Sequence, residues 1–505
     1  MSLFLILLVL VGSLLGFLFA KTSRHGSSRN LGKRPPGPRG LPVIGHLHML
    51  GKLPHQTLTH LSKKYGPIMS INLGTVPTIV VSSPRAAELF LKTHDHVFAS
   101  RPKSQVAEIL FNGYKGVVLT PHGTRWRNVR KLYAVHLLNS SKIEQFKLIR
   151  TEEIGVVMDH LKSAAEKSEV VNISKIVVEL FENMVYRMIF GRGKNDGDQK
   201  LKDFVEDMSS ITGAFNISDY FPLLAPLDLQ GFARRTKQLR KSIDIIFEKI
   251  IHEHEHQKDH KSKDHKDFVD VLLSLLDQSI DSQDKNSEII GRSEINAILL
   301  DLVAASLETS TKAIDWTFSE ILKDPRVMKK LQKELETNIG MDRMVQESDL
   351  PKLTYLDMVI KEGLRLHPVI PLLAPHESME DVVLDGFYIP KKSRVLINVW
   401  SMGRDPDIWG DTTEEFYPER FENDDIDMQG LDFRLIPFGS GRRKCLGMHM
   451  AMLNLRQVLA QLVHSFDWKM PDGMIPEDID MDEKQGLAVG RANNVFARPI
   501  YRLND

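Results

Sequence analysis

A single cysteine, Cys445, stands in 505 residues. That excludes an intramolecular disulfide, a four-cysteine zinc site and an all-cysteine iron–sulfur cluster. Net charge is missing too. The 66 Lys and Arg balance 66 Asp and Glu, whereas a dedicated nucleic-acid binder is normally basic, so no nucleic-acid partner is expected. There are no internal repeats, no clean linker after residue 45, and no flavin or nicotinamide motif. Gly439-x-Gly441 begins like a dinucleotide loop, but Lys444 occupies the third glycine's place, and that reading fails. What is present is ordinary globular composition, 42% hydrophobic and 26% charged, which excludes global disorder.

The stretch from Leu3 to Ala20 carries no charge and is long enough to span a bilayer. A cleaved signal peptide would need a basic start and small residues before the cut. Met1-Ser2 lacks the first, and Leu18 is poorly placed for the second. Lys21, Arg24, Arg29, Lys33 and Arg34 follow the apolar run, and positive flanks stay cytoplasmic. The sequence therefore predicts an N-terminal membrane anchor at 1–20, a basic and Pro-rich hinge at 21–45, and a cytosolic body at 46–505. A buried N-terminal core helix is the alternative to the anchor. Pro35 to Pro42 reads as a stiff spacer or as a plain domain boundary.

Along the body, Ile68 to Leu73, a Gly74-Thr75 turn and Thr78 to Val81 read as paired strands. Helical periodicity then dominates to about residue 340. One long helix is expected over Ser293–Lys323, capped by Ser293 and stopped by Asp324-Pro325. Another is expected over Tyr355–His367 before Pro368, and a last one after Gly447. The expected fold class is mainly α with a minor β portion. The polar tract from His252 to Asp267 reads as a solvated loop, metal binding being its alternative. The sequons at Asn139, Asn172 and Asn216 carry no weight in a cytosolic body.

Cys445 lies in Pro437-Phe438-Gly439-Ser440-Gly441-Arg442-Arg443-Lys444-Cys445-Leu446-Gly447. Glycines allow the backbone close to a flat ligand. Arg443, Lys444 and the N-terminus of the following helix favour thiolate over thiol. That setting suits a metal-bound thiolate; a buried inert cysteine is the plain alternative. Read alone, Glu362 and Arg365 are an i,i+3 pair of the surface kind, set among apolar neighbours. Trp126 and Arg130 both present donors, which suits a carboxylate ligand, or they belong to a solvated basic face. Glu308 and Thr309 sit side by side within an apolar helix, as a functional pair or as a surface acid beside a hydroxyl bonded back to its own turn.

Phe438-x-x-Gly441-x-Arg443-x-Cys445-x-Gly447 resembles the haem-binding signature of the cytochromes P-450. Glu362-x-x-Arg365, Phe416-x-Pro418-x-Arg420-Phe421 and Trp126-x-x-x-Arg130 match other motifs of that family, and the anchor with its Pro-rich hinge matches the plant microsomal A-type. The resemblance covers nearly the whole chain. It implies a cytochrome P-450 fold behind a single transmembrane anchor, in the endoplasmic reticulum membrane. It implies haem b (iron protoporphyrin IX) with Cys445 as axial thiolate. Phe438, Gly441, Arg443 and Gly447 would shape the cofactor loop, Trp126, Arg130 and His376 would reach the propionates, and Arg420 would complete the Glu362–Arg365 ion pair. Glu308 and Thr309 become the acid–alcohol pair that supplies protons for oxygen activation. Ser306 departs from the family's glycine two positions before the acid, but can bend a helix through its own i−4 carbonyl. Leu446 departs from the usual proline.

By the same resemblance the pocket is lined by Phe111, Phe215, Ala305, Val369, Ile370, Leu373, Leu487, Ala488 and Val489, an apolar set suited to a small lipophilic substrate. Electrons would come from NADPH through a cytochrome P-450 reductase, steered by Arg127, Arg442, Lys444 and Arg456. The implied reaction is monooxygenation of an aromatic or terpenoid plant metabolite. Two rivals are a thiolate-haem isomerase or dehydratase needing no O2, and a membrane-anchored haem- or ligand-binding protein without turnover. Retention of Glu308 and Thr309 speaks against both.

Overall fold

The computed structural model describes residues 32–193, 199–257, 266–278 and 290–504. The anchor expected at 1–20 lies outside these. Among the described residues no helix is long and apolar enough to cross a membrane.

The principal helices are α1 (Pro54–Tyr65), α2 (Gln105–Leu110), α3 (Thr124–Leu132), α4 (Lys147–Glu166), α5 (Ile173–Phe190), α6 (Gln199–Gly213), α7 (Phe232–Gln257), α8 (Phe268–Ser274), α9 (Arg292–Lys323), α10 (Pro325–Ile339), α11 (Thr354–Leu366) and α12 (Met448–Ser465). Around them run β1 (Ile68–Leu73), β2 (Val76–Val81), β3 (Val171–Asn172), β4 (His376–Glu377), β5 (Val382–Leu384), β6 (Phe387–Ile389), β7 (Arg394–Ile397), β8 (Phe466–Lys469), β9 (Glu483–Lys484), β10 (Gly490–Arg491) and β11 (Phe496–Tyr501). The chain is mainly helical with a minor β portion, as expected.

The helix α9 is the axis of the core. It packs against α5, α11 and α12, and its buried residues, from Ile295 to Leu322, lie on every face, as befits a helix enclosed by others. It starts two residues before the expected Ser293 cap. Gly291 is the N-cap, and Glu294 reaches back to the Gly291 N–H at 3.2 Å. Ser293 instead meets Lys115 and the Glu294 carboxylate. At the far end Pro325 stops the helix, and Asp324 caps α10 through the amides of Arg326 and Val327.

The largest sheet runs β1-β2-β7-β4. The strands β1 and β2 pair antiparallel around the Gly74 turn, whereas β2 and β7 pair parallel with Val80 opposite Leu396. The Pro-rich stretch does not stand off from this sheet. The Ser70 amide donates to Pro36 O at 2.8 Å, and a Cβ on Gly37 would strike the Ser70 carbonyl.

The His-rich tract is not a loop throughout. Residues His252, His254 and His256 belong to α7. His254 is buried, with Nδ1 on Ile250 O at 2.8 Å and Nε2 on Asp267 Oδ2 at 3.1 Å. Asp267 also caps α8, so the pair fixes both ends of the segment between the two helices. The three sequon asparagines all serve as helix N-caps, Asn172 for example accepting from Lys175 N at 3.0 Å.

Candidate functional site

The cysteine loop is built by two left-handed glycines. Gly439 and Gly441 have φ of +69° and +64°, and a Cβ on Gly441 would overlap the Leu91 carbonyl. The turn closes by Cys445 N–H to Phe438 O at 2.9 Å. Arg130 of α3 braces it from outside, donating to Lys444 O at 3.1 Å. The Gly447 and Met448 amides at the start of α12 point at the sulfur. Cys445 keeps exposed surface although it lies deep enough for burial to govern its acidity, so it forms the floor of a recess. Burial raises the thiol above its ordinary range, against the two amides, Arg130 and Lys444. The expected depression is therefore absent in the protein alone, and Arg443 is not among the charges acting on the sulfur. A thiol raised by burial is a poor free nucleophile; a bound metal would deprotonate it.

Above the loop, cationic donors converge without a carboxylate partner among the described residues. Arg443 stacks on the Trp126 ring, 4.1 Å from its centroid, and donates to the carbonyls of Ala99 (2.6 Å) and Thr120 (2.7 Å). Arg101 donates to Ala374 O at 2.5 Å and Pro375 O at 3.0 Å. None of Arg101, Arg130 and Arg443 has a carboxylate partner among the described residues. Trp126 Nε1 and His122 Nε2 are buried with no hydrogen-bond partner. Burial pulls Arg443 down to about 8, with Arg101 and Arg130 repelling it, and pulls Arg101 down to about 10. His376 is held well below its usual value by burial and by Arg101, its Nδ1 lying 2.8 Å from Phe98 O. A set of buried and half-buried guanidiniums and an orphaned indole N–H is what a dianionic ligand would satisfy. These residues fit the two carboxylates of haem. Sequence reading reached Trp126, Arg130, His376 and Arg443, but missed Arg101 and His122.

It also missed Asp301 on α9. This buried carboxylate accepts from the Val117 amide and, at 3.4 Å, from that of Val118. It thereby holds the 117–120 segment whose carbonyls receive Arg101 and Arg443. A Cβ on Gly116 would collide with it.

The Glu362–Arg365 pair is fully buried and bidentate, at 2.7 and 2.8 Å. Arg420 joins it at 2.9 and 3.0 Å. The Arg365 guanidinium also serves the carbonyls of Gly403, Thr413 and Glu415. The pair ties α11 to the segment that leads into the cysteine loop.

On α9, Ser306 bonds back to Leu302 O at 2.6 Å and Thr309 to Ala305 O at 2.7 Å. The helix runs unbroken through both. Ala305 is exposed between partly buried Ala304 and Ser306, so α9 borders an open space there. Glu308 takes hydrogen bonds from Ser209 of α6 and Lys312. Val369, Leu373, Ala488 and Val489 are buried, Ile370 and Leu487 partly so; Val489 N–H meets Val369 O at 2.7 Å, and Leu373 approaches Gly439 of the cysteine loop. Phe111 is buried at the end of α2. Phe215 stands apart: it is 40% exposed and stacks on Tyr220 with centroids 4.9 Å apart.

Of the basic residues expected to meet a reductase, Arg442 is paired with Asp95 and Arg456 with Asp357. Arg127 reaches Thr124, and Lys444 reaches Gln429.

A family model described as Cytochrome P450 matches residues 35–496. The chain is 51% identical to Cytochrome P450 CYP736A12 of Panax ginseng over 471 residues, covering 93% of this chain and 94% of that one. It is 40% identical to Cytochrome P450 750A1 of Pinus taeda, with 96% and 94% covered. It is 38% identical to a flavonoid 3'-monooxygenase of Arabidopsis thaliana, with 99% and 98% covered. With a cysteine loop, a donor-lined cradle beside it and a family match over most of its length, this chain belongs to the cytochrome P450 family.

Proposed function

We propose that this cytochrome P450 monooxygenase inserts one oxygen atom of O2 into a small lipophilic plant metabolite, aromatic of the biphenyl, phenylpropanoid or flavonoid type or else terpenoid. The electrons come from NADPH through a membrane-bound cytochrome P450 reductase. The observation that carries the reading is the cradle: three guanidiniums bonded to backbone carbonyls but to no carboxylate of the described residues, and the unpartnered Trp126 indole, gathered beside the loop of the only cysteine.

When bound, haem supplies the oxygen activation and electron storage that side chains lack. Cys445 would be its axial ligand, and Arg101, Trp126, Arg130 and Arg443 would hold its carboxylates, with His376 beside them. Glu308 would carry protons inward from the surface. Thr309 donates its own proton to Ala305 O, which leaves its oxygen free to accept a hydrogen bond; to hand a proton on, the hydroxyl would first have to turn away from that carbonyl. Phe111, Ala305, Val369, Ile370, Leu373, Leu487, Ala488 and Val489 would exclude water and orient the substrate. Phe215, on the outer stack with Tyr220, would meet the substrate only on entry. Relatives named as flavonoid 3'-monooxygenases support the aromatic class.

A membrane-facing side is supported by exposed Leu223, Leu227 and Leu229 near exposed Leu41 and Ile44. Both segments attach to the β1–β2 turn, through Thr75 N–H to Tyr220 O and Gly74 N–H to Ile44 O. An anchor at 1–20 would place that side against the endoplasmic reticulum membrane, the body facing the cytosol.

The test is the ferrous–CO spectrum of the full chain and of Cys445→Ser. A Soret band strongly red-shifted from that of a His-ligated haem, present in the first and lost in the second, is expected. Retention of the band in the serine variant would overturn the ligand assignment. Absence of reductase-dependent O2 consumption with an intact band would favour the isomerase reading.

A further inference from the structure

We infer that Lys312 is a positioning residue that ties the Glu308 carboxylate to the pocket loop at Ala488, so that the place of the loop sets the aim of the acid. The inference rests on the proposed role of Glu308 as proton carrier.

Lys312 follows Glu308 by one turn of α9. A Glu–Lys pair at that spacing on an open helix face contributes only a few tenths of a kcal/mol. The surroundings here are different. The ammonium donates to Glu308 Oε1 and also, at 2.7 Å, to the carbonyl of buried Ala488. Its stem passes over Gly490, where a Cβ would lie 3.1 to 3.2 Å from three of the lysine methylenes. One turn further on, Trp316 Nε1 donates to Val489 O at 3.1 Å. Two successive carbonyls of the loop are thus held by two successive turns of the same helix. The loop's other side is fastened by Val489 N–H to Val369 O. Ser209 holds the same Glu308 oxygen from α6, leaving Oε2 with no partner from either donor.

One ammonium therefore serves the acid and a loop whose residues line the proposed pocket. If the loop shifts, Lys312 must release Ala488 O or draw the carboxylate with it. A misplacement of about 1 Å can cost a catalytic group about a hundredfold in rate, so the position this tether sets for the carboxylate matters.

The experiment uses the full-length, haem-loaded enzyme with reductase, O2 and NADPH, and no added substrate. Wild type, Glu308→Gln, Lys312→Met and Lys312→Arg are compared. Two readouts are taken: the rate and solvent isotope effect of NADPH oxidation, and amide hydrogen exchange over 486–491. Lys312→Met is expected to slow oxidation about tenfold, to enlarge the isotope effect and to speed exchange at 487–489. Lys312→Arg should recover much of both. If Glu308→Gln changes neither rate nor isotope effect, the proton-carrier reading fails and the inference falls with it. If Glu308→Gln is impaired while Lys312→Met loosens the loop without touching the rate, Lys312 is merely structural and the inference alone is overturned. Should Lys312→Met not retain haem, Gly490→Ala displaces the lysine stem without removing its charge, and the same two readouts decide.

Discussion

Arg130 donates through Nη2 to the carbonyl of Lys444, the residue just before the only cysteine, at 3.1 Å. The same guanidinium acts by its charge on the Cys445 thiol, opposing the burial that raises it. One side chain thus holds the loop in shape and favours the sulfur's charged form. Loss of a nearby positive charge favours the neutral thiol. In Arg130→Leu the pH below which the red-shifted ferrous–CO band gives way should rise, by roughly one unit. Arg130→Lys, which keeps a charge but not the fork, should fall between. Spectra recorded across pH check this; an unmoved midpoint contradicts it.

A second pH effect arises at Asp301. Burial lifts its carboxyl from 3.8 to about 7, against the amides of Val117 and Val118. Between these values the folded state keeps a proton that the unfolded chain has lost. Stability must therefore fall as pH rises through that window, and level off above it. Asp301→Asn is neutral in both states and should remove the slope. Denaturant midpoints at about pH 5 and about pH 8 are the measurement. An equal slope in both proteins would mean that other groups set it.

The buried ion pair predicts asymmetric damage. Removing one member of a buried pair costs about 3–5 kcal/mol, because the other charge is left without compensation. Arg365→Met would in addition strand the carbonyls of Gly403, Thr413 and Glu415. The double variant Glu362→Gln/Arg365→Met should therefore not recover wild-type stability: it also leaves the Arg420 guanidinium without its carboxylate. The yield of haem-loaded protein and its urea midpoint test this, and full recovery in the double variant would show that neither the stranded carbonyls nor the stranded Arg420 costs stability.

The parts of the site legible in the sequence were those fixed by close spacing. The cysteine loop and the Glu362–Arg365 turn are each local, and their residue types constrain what they can bind. Arg101 escaped notice because its partners are backbone carbonyls at 118, 374 and 375, and no spacing announces them. Asp301 could have been found: an acid inside the apolar run from Ala297 to Val303 demands a partner. Lys312 was equally visible, four residues after Glu308, but its second partner lies 176 residues away. The His254–Asp267 pair shows the converse: low complexity suggested a loop, while tertiary burial accompanies a helix over the first six residues of the tract.

The reductase surface can be narrowed by its local pairings. Arg442 and Arg456 each face an aspartate of this chain, so their fields at a distance are largely cancelled. Arg127 and Lys444 bond only to neutral Thr124 and Gln429 among the contacts resolved for their side chains. An acidic partner drawn to this side should thus respond mainly to those two. Charge steering acts on the association rate and weakens with salt. Arg127→Glu/Lys444→Glu should slow the first reduction by the reductase about tenfold at low ionic strength and flatten its salt dependence. Arg442→Gln should do less than that, since it changes the net charge by one unit whereas the double reversal changes it by four. Stopped-flow reduction over a range of salt concentrations gives both quantities. If the double reversal leaves rate and salt slope unchanged, the reductase does not dock by this face.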